Sequence, residues 1–377
     1  MATGQDKALQ NGYISANGNI TISANADTPV AQSLVMGTTD VEVAKFKLAA
    51  SVDEDITISD IYLAANVKSG ATGTFKNIKL YNGTTQVGSA ANLGSTYSTT
   101  TYAVAVFPAL TLKVPKNGNV ILTVKADISV NGDATTADTA IFALLPDYDG
   151  TTAADQEAIT AKGDSSGASI TAADQDFNNS SGTFSSDAGV VGNQLTVYAT
   201  KISVAYASDT PAGAASPSAS QTVMKFVVTN SANVGNYSAT LRYVNFTISQ
   251  NGVSRANNTA VALDVYKDTV TSANLVGSTI WVAAGNQNVT GVTLMTNTAT
   301  AVSGTAAGFE ETEIASGANK TFIVILDTSN LGLATAESIS IAIADQQISW
   351  RDGVSTSDYT TAGSVSGLPL PTKTITY

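Results

Sequence analysis

Histidine and cysteine are both absent from the chain. Without cysteine there is no disulfide framework and no thiolate chemistry. Without histidine the usual base, proton shuttle and transition-metal ligand is missing. Ser-His-Asp triads, Cys-His dyads and histidine-based zinc sites are therefore excluded. Charge is also scarce. Asp, Glu, Lys and Arg make up 13% of the residues, about half the roughly 25% usual in soluble domains. Trp281 and Trp350 are the two tryptophans. No apolar run approaches the roughly 20 residues that a membrane-crossing helix needs, so membrane insertion is not expected.

Thr, Ser, Asn, Gly and Ala fill the gap left by charge, and 43% hydrophobic residues supply a core. Thr suits the pleated, half-buried face of a strand. Polarity without charge is the composition of a secreted surface protein, so an extracellular location is expected. The net charge of −12 repels phosphate backbones, which disfavours nucleic acid as a partner and leaves divalent cations as natural counterions. The start Met1-Ala2-Thr3-Gly4-Gln5-Asp6-Lys7 lacks the apolar stretch of a signal peptide. It reads as a mature N-terminus behind an added Met, with a native cytosolic start as the alternative.

The sequence repeats itself. Ile20-Thr21-Ile22 leads into Asp27-Thr28-Pro29, and Ile202-Ser203-Val204 leads into Asp209-Thr210-Pro211 at the same spacing. Val43-Ala44-Lys45-Phe46 matches Val223-Met224-Lys225-Phe226. Leu80-Tyr81 with Val87-Gly88-Ser89 matches Val265-Tyr266 with Val276-Gly277-Ser278. The run from Val114 through Asn119 to Leu122-Thr123-Val124 and Asp127 matches the run from Ile314 through Asn319 to Phe322-Ile323-Val324 and Asp327. These pairs divide the chain into an N-terminal segment, 1–19, and two copies, 20–200 and 201–377. The first copy carries a polar insertion near 151–187. The copies abut almost without linker, which predicts a stiff end-to-end junction.

Alternating segments such as Ile56, Ile58, Ile61 and Leu63 read as strands, and Asn-Gly pairs at 82–83, 117–118, 131–132 and 251–252 read as hairpin turns. No stretch carries sustained helical periodicity with caps. The expected fold is all-β: two tandem Ig-like, Greek-key β-sandwich domains. A β-helix is the alternative, but its short repeat is not visible.

Catalysis would have to rest on carboxylates. Asp53-Glu54-Asp55 and Glu310-Glu311 with Glu313 are the clusters, but neighbours on a strand face opposite ways. They read as solvated charges that discourage edge-to-edge aggregation, so no catalytic residue is assigned. Calcium is the better expectation, because it takes hard oxygen ligands. Asp147-Tyr148-Asp149-Gly150 with Asp155 and Glu157 forms one candidate set; Asp127, Asp133 and Asp138 form a second, with Asp327, Glu337 and Asp352 at matching places in the other copy. Ordinary turns are the favoured reading of both sets, with calcium ligation as the alternative. No organic cofactor is expected.

Asp27-Thr28-Pro29, Val43-Ala44-Lys45-Phe46-Lys47-Leu48, Glu54-Asp55-Ile56-Thr57-Ile58, the run from Asn77 to Gly83 and Val87-Gly88-Ser89 resemble repeat modules of large secreted proteins of candidate-phylum bacteria, generally taken to be surface-layer or cell-envelope structural proteins. The resemblance covers most of the first copy and, more weakly, the second, where the Glu-Asp-Ile-Thr element is lost. It implies a β-sandwich, no catalytic residues and a structural role. The expected partner is then the chain itself, in a surface layer or filament. The terminal strands, near 13–23 and at Lys373, Thr374, Ile375, Thr376 and Tyr377, would pair between subunits by strand addition, with calcium-assisted contacts. The alternative is an adhesin or carbohydrate-binding module that meets a cell-surface glycan through an aromatic platform at Trp281 or Trp350.

Overall fold

The computed structural model describes residues 18–68, 71–94, 102–146, 158–178, 189–251, 260–282, 289–296, 308–329 and 337–377. Its strands are β1 (Ile20–Ala24), β2 (Gln32–Val35), β3 (Val41–Ala50), β4 (Ile56–Val67), β5 (Phe75–Asn82), β6 (Thr85–Ala91), β7 (Ala103–Phe107), β8 (Leu112–Val114), β9 (Asn119–Ile128), β10 (Asp138–Leu144), β11 (Ile159–Gly163), β12 (Ser169–Ile170), β13 (Gln175–Asn178), β14 (Val190–Val191) and β15 (Leu195–Tyr198). They continue with β16 (Ile202–Tyr206), β17 (Gly213–Ala214), β18 (Gln221–Asn230), β19 (Ala239–Asn251), β20 (Ala260–Lys267), β21 (Leu275–Val282), β22 (Val289–Thr296), β23 (Gly308–Phe309), β24 (Thr312–Ile314), β25 (Asn319–Leu326), β26 (Ser338–Ile343), β27 (Ile348–Arg351), β28 (Val365–Ser366) and β29 (Leu370–Thr376). Among the described residues there is no α-helix, and three short 3₁₀ turns join strands. The fold is all-β, as the alternation of apolar residues requires.

Contacts divide the chain into two compact units. Unit 1 holds Met1–Val30, Thr39–Asp127 and Thr139–Leu195; unit 2 holds Ala31–Thr38, Ile128–Asp138 and Thr196–Tyr377. Unit 2 thus takes in 31–38, 128–138 and 196–200 from the first sequence copy.

In unit 1 one sheet runs β13-β1-β3-β9-β5-β6, and the other runs β12-β11-β4-β10. The long strand β4 organises the second sheet. It pairs with β11 and β10 on one edge and with β8 and β7 on the other. Alternate residues turn inward, as the two-residue period of a strand demands: Phe46 and Leu48 on β3, Ile56 and Ile58 on β4, Leu122 and Val124 on β9 are all buried. Phe75 meets Phe142 edge-on, with ring centres 5.6 Å apart.

In unit 2 the strands form one connected path, β17-β29-β26-β19-β22-β23-β21-β20-β25-β18-β16-β28, with β24 and β27 also on β19. Here β19 plays the part of β4. Phe226 lies at the centre of the core, stacked on Phe322 at 5.2 Å and edge-on to Phe246 at 6.1 Å.

Matched segments of the two copies do the same physical work. Strands β3 and β18 bury the same positions in the same order. Both carry a register shift at the same place, between Glu42 and Ala44 and between Thr222 and Met224. The Asp-Thr-Pro motif is a strand clamp: the Thr28 hydroxyl donates to the Lys45 carbonyl at 2.6 Å, and Thr210 donates likewise to the Lys225 carbonyl.

Phe226→Ala removes the ring about which these aromatics pack. A buried Phe-to-Ala change costs about 3–5 kcal/mol, so chemical denaturation should show a loss of that size in unit 2. A loss below about 1 kcal/mol would place the core elsewhere.

Candidate functional site

Glu54 departs from the sequence reading. Its side chain is not a solvated charge but a buried brace, with the residue 4% exposed. Oε2 accepts the backbone N–H groups of Ser165 and Ser166, each at 2.8 Å. Oε1 accepts the Ser166 hydroxyl at 2.7 Å and the Gly18 N–H at 3.2 Å. A carboxylate can accept several donors at once, so one residue fixes both the turn after β11 and the entry to β1. Gly163 leaves the room: a Cβ there would lie 2.0 Å from Glu54 Oε1. The Ser166 hydroxyl, then its backbone N–H, holds the Glu54 carboxyl below its ordinary range.

The neighbouring charges pair. Lys113 Nζ lies 2.8 Å from Asp55 and 2.9 Å from Asp164. These contacts, Asp55 first, push the Lys113 ammonium up to about 12. Lys113 in turn lowers Asp55, and the Thr57 hydroxyl, followed by Lys113, lowers Asp164. Of the second acidic cluster, Glu310 faces Lys267 at 3.6 Å and Glu311 pairs with Arg242. These carboxylates are engaged in ion pairs rather than facing one another.

Unit 2 has its own buried carboxylate. Asp352 is fully buried. Its Oδ1 accepts the N–H groups of Val354 and Ser355 at 3.2 and 3.0 Å. Its Oδ2 accepts the Ala199 N–H at 3.0 Å and the Thr136 hydroxyl. Tyr359 donates its hydroxyl to Thr136 at 3.1 Å. Above this network Trp350 packs against Tyr359 and Tyr198, with centres 5.4 and 5.5 Å away. Trp350 is 0% exposed. It is a core residue and offers no face to a sugar. The Trp281 side chain lies outside the described residues.

Of the calcium candidates, Asp147, Asp149, Asp155 and Glu157 lie outside the described residues. Asp127 accepts the Asp40 N–H at 2.8 Å and the Asn77 amide at 3.0 Å. Asp138 is buried and accepts the Thr135 N–H at 2.9 Å. Asp133 is exposed. Among the described residues no three acidic side chains converge on a point that would hold a metal ion. Lys373, Thr374, Ile375 and Thr376 lie in β29, paired antiparallel with β26, and Ile375 is buried. On its other edge β29 meets β17 at Gly213 and Ala214. Tyr377 follows the strand and donates its N–H to the Glu337 carbonyl at 2.9 Å.

A groove in unit 1 is not legible in the sequence alone. About 520 Å³ opens between the start of β6 and the segment 109–113, lined by Gln86, Val87, Gly88, Leu110, Leu112 and Lys113 among others. Strand β6 ends its sheet, pairing with β5 on its inner edge. At the groove floor Leu110 presses against Gly88, where a Cβ would lie 2.5 Å from Leu110 Cδ2; Gly88 also holds φ at +73°. Its walls are mixed, with Asn82, Thr85, Gln86, Thr111 and Lys113 beside Val87, Leu110 and Leu112.

The depressed Glu54 acidity gives a signed pH dependence. A carboxylate whose folded value lies below its unfolded value stabilises the fold above that unfolded value, near 4.5, and loses the contribution as pH falls through the folded value. Native protein should therefore exceed Glu54→Gln in stability at pH 7, with the gap closing below about pH 4.5, as read by denaturant titration at each pH. A gap independent of pH would contradict the brace.

No protein-family model matches the chain, and no curated protein matches it. Among solved structures it is similar to the C-terminal domain of the Streptococcus agalactiae antigen I/II polypeptide BspA, at 8% identity and a TM-score of 0.24 over 95% of this chain and 100% of that one. It is similar to the C-terminal domain of the Streptococcus pyogenes antigen I/II-family protein AspA, at 8% identity and 0.22 over 95% and 99%. A partial N-terminal region of an enterococcal surface protein gives 8% and 0.22 over 99% and 98%. Values this low carry no functional information.

Proposed function

We propose that this chain is a structural protein of the cell exterior whose copies assemble into a layer or filament by adding strands to one another. The open outer edge of β6 carries this reading. Among the described residues no strand pairs with that edge, and an edge left so is a template for another chain. Residues 85–91, Thr-Gln-Val-Gly-Ser-Ala-Ala, contain neither a charge nor a proline to discourage pairing. The chemically potent groups argue the same way. Glu54 and Asp352 are saturated by backbone N–H and hydroxyl donors, so they brace loops. The low-charge composition supports an extracellular setting. The glycan-binding reading is weakened by the burial of Trp350.

Sedimentation velocity across a concentration series, followed by negative-stain microscopy, tests assembly. Oligomers that grow with concentration and resolve into sheets or fibres are expected. Calcium and chelator arms test whether the ion strengthens them. A monomer at every concentration in both arms would contradict the reading.

A further inference from the structure

We propose that the outer edge of β6 accepts an extended segment from a second copy of this chain, centred on Gly12-Tyr13, which adds as an antiparallel strand. The proposal rests on the assembly reading and names its two surfaces.

Unit 2 displays what fills this edge. Val276-Gly277-Ser278 is the repeat of Val87-Gly88-Ser89, and the run from Ile314 is the repeat of the run from Val114. Counting back places Pro108-Ala109-Leu110 against Gly308-Phe309-Glu310. In unit 2 the two-residue strand β23 pairs antiparallel with β21 at Gly277↔Phe309 and parallel with β22. Glu310 donates its N–H to the Val276 carbonyl at 2.5 Å. Phe309 is fully buried, 6.4 Å from the Phe322 ring. That strand closes one side of the sandwich.

Unit 1 cannot build the same strand. Pro108 has no N–H to give. Ala109 holds φ at +55°, which is not extended backbone. The Leu110 N–H points instead to the Ser59 carbonyl, at 2.6 Å. Among the described residues, no strand pairs with the outer edge of β6 at Gln86 and Gly88, where the Gly88 carbonyl accepts the Gln86 side-chain amide at 3.0 Å, and the groove lies where the counterpart of β23 would be. The isolated bridge Gly94↔Val104 lies beyond the far end of β6.

The missing piece is an extended Gly-aromatic pair. The whole sequence contains two of them: Gly308-Phe309, already seated in unit 2, and Gly12-Tyr13 in the segment before Gly18. Reach decides whose groove Tyr13 meets. The Gly18 N–H is held by Glu54 at 3.2 Å. Strand β1 lies four strands from β6 in the same sheet, roughly 19 Å across. The two also lie toward opposite ends of that sheet. Ile20 pairs with Ala50 and Asn119 with Ala49, whereas Asn77 meets Asp127 and Val87 pairs with Leu80. That adds roughly 20 Å along the strands, for a separation of about 25 Å or more. Five residues from Gly18 back to Tyr13 span at most about 18 Å. Tyr13 therefore serves a second copy. Donor and acceptor are different surfaces, so the contact is heterologous and propagates into an open assembly unless it closes a ring.

Because the native chain has no cysteine, single cysteines report the contact. With Tyr13 opposite Gly88, antiparallel register sets Ser15 opposite Gln86. Protein carrying Ser15→Cys is mixed with protein carrying Gln86→Cys under mild oxidation, after circular dichroism confirms that both fold. A disulfide joining positions 15 and 86 of two chains is expected at roughly tenfold the yield of an Asp6→Cys control, because seating one aromatic is worth at least that factor. Adding Tyr13→Ser to the donor should bring the yield to the control level. Equal yields would overturn the proposal, as would a double variant that closes its disulfide within a single chain at high dilution. Oligomers without the cross-link would overturn this pairing and leave assembly standing; no oligomers at all would overturn both.

Discussion

A sandwich has two open sides, and every strand at a side must find a use for its outer backbone groups. That constraint organises this chain. In unit 2 a dipeptide, Gly308-Phe309, closes one side by bridging β21 and β22 and sends a ring into the core. In unit 1 the matching dipeptide is Pro108-Ala109, which lacks both the donor and the ring. The two copies share a strand plan and differ in whether that edge is finished from within. Among the described residues nothing completes the edge in unit 1, and an edge left so is available to another chain.

The rest of each unit is held by the economical use of few charges. With 13% charged residues, broad ion-pair networks are not available. One carboxylate instead collects several backbone donors. Glu54 ties a turn 111 residues away to its own loop. Asp352 gathers its own turn, Ala199 and Thr136 into one buried point. Burial makes such an acceptor expensive to remove, because the donors it leaves behind have no water to turn to.

Much of the architecture is legible in the sequence. Period-two alternation in Val43 to Leu48, the Asn82-Gly83 turn and the paired Asp-Thr-Pro motifs are local patterns, and local patterns survive in one dimension. The roles of Glu54, Trp350 and Gly88 are not local. Glu54 reads as one acid among three until Ser165 and Ser166 arrive from elsewhere in the chain. Trp350 reads as a platform until Tyr198 and Tyr359 cover it. Gly88 reads as a repeat glycine until Leu110 fills the space where a side chain would be. The groove itself is written in the difference between Pro108 and Gly308, which gains meaning once strand register shows what each dipeptide would pair with. The calcium candidates at Asp147 and Asp149 lie outside the described residues, while Asp127 and Asp138 already accept backbone N–H groups.

The central claim is that the same strand edge is complete in one unit and, among the described residues, incomplete in the other. Hydrogen exchange followed amide by amide, in dilute monomer and in assembled material, measures this directly. Amides facing the groove at Gln86 and Gly88 should exchange quickly in the monomer and become protected on assembly, while those near Val276 and Gly277 stay protected throughout. Equal protection of both edges in the monomer, or no change at Gln86 and Gly88 on assembly, would contradict the account.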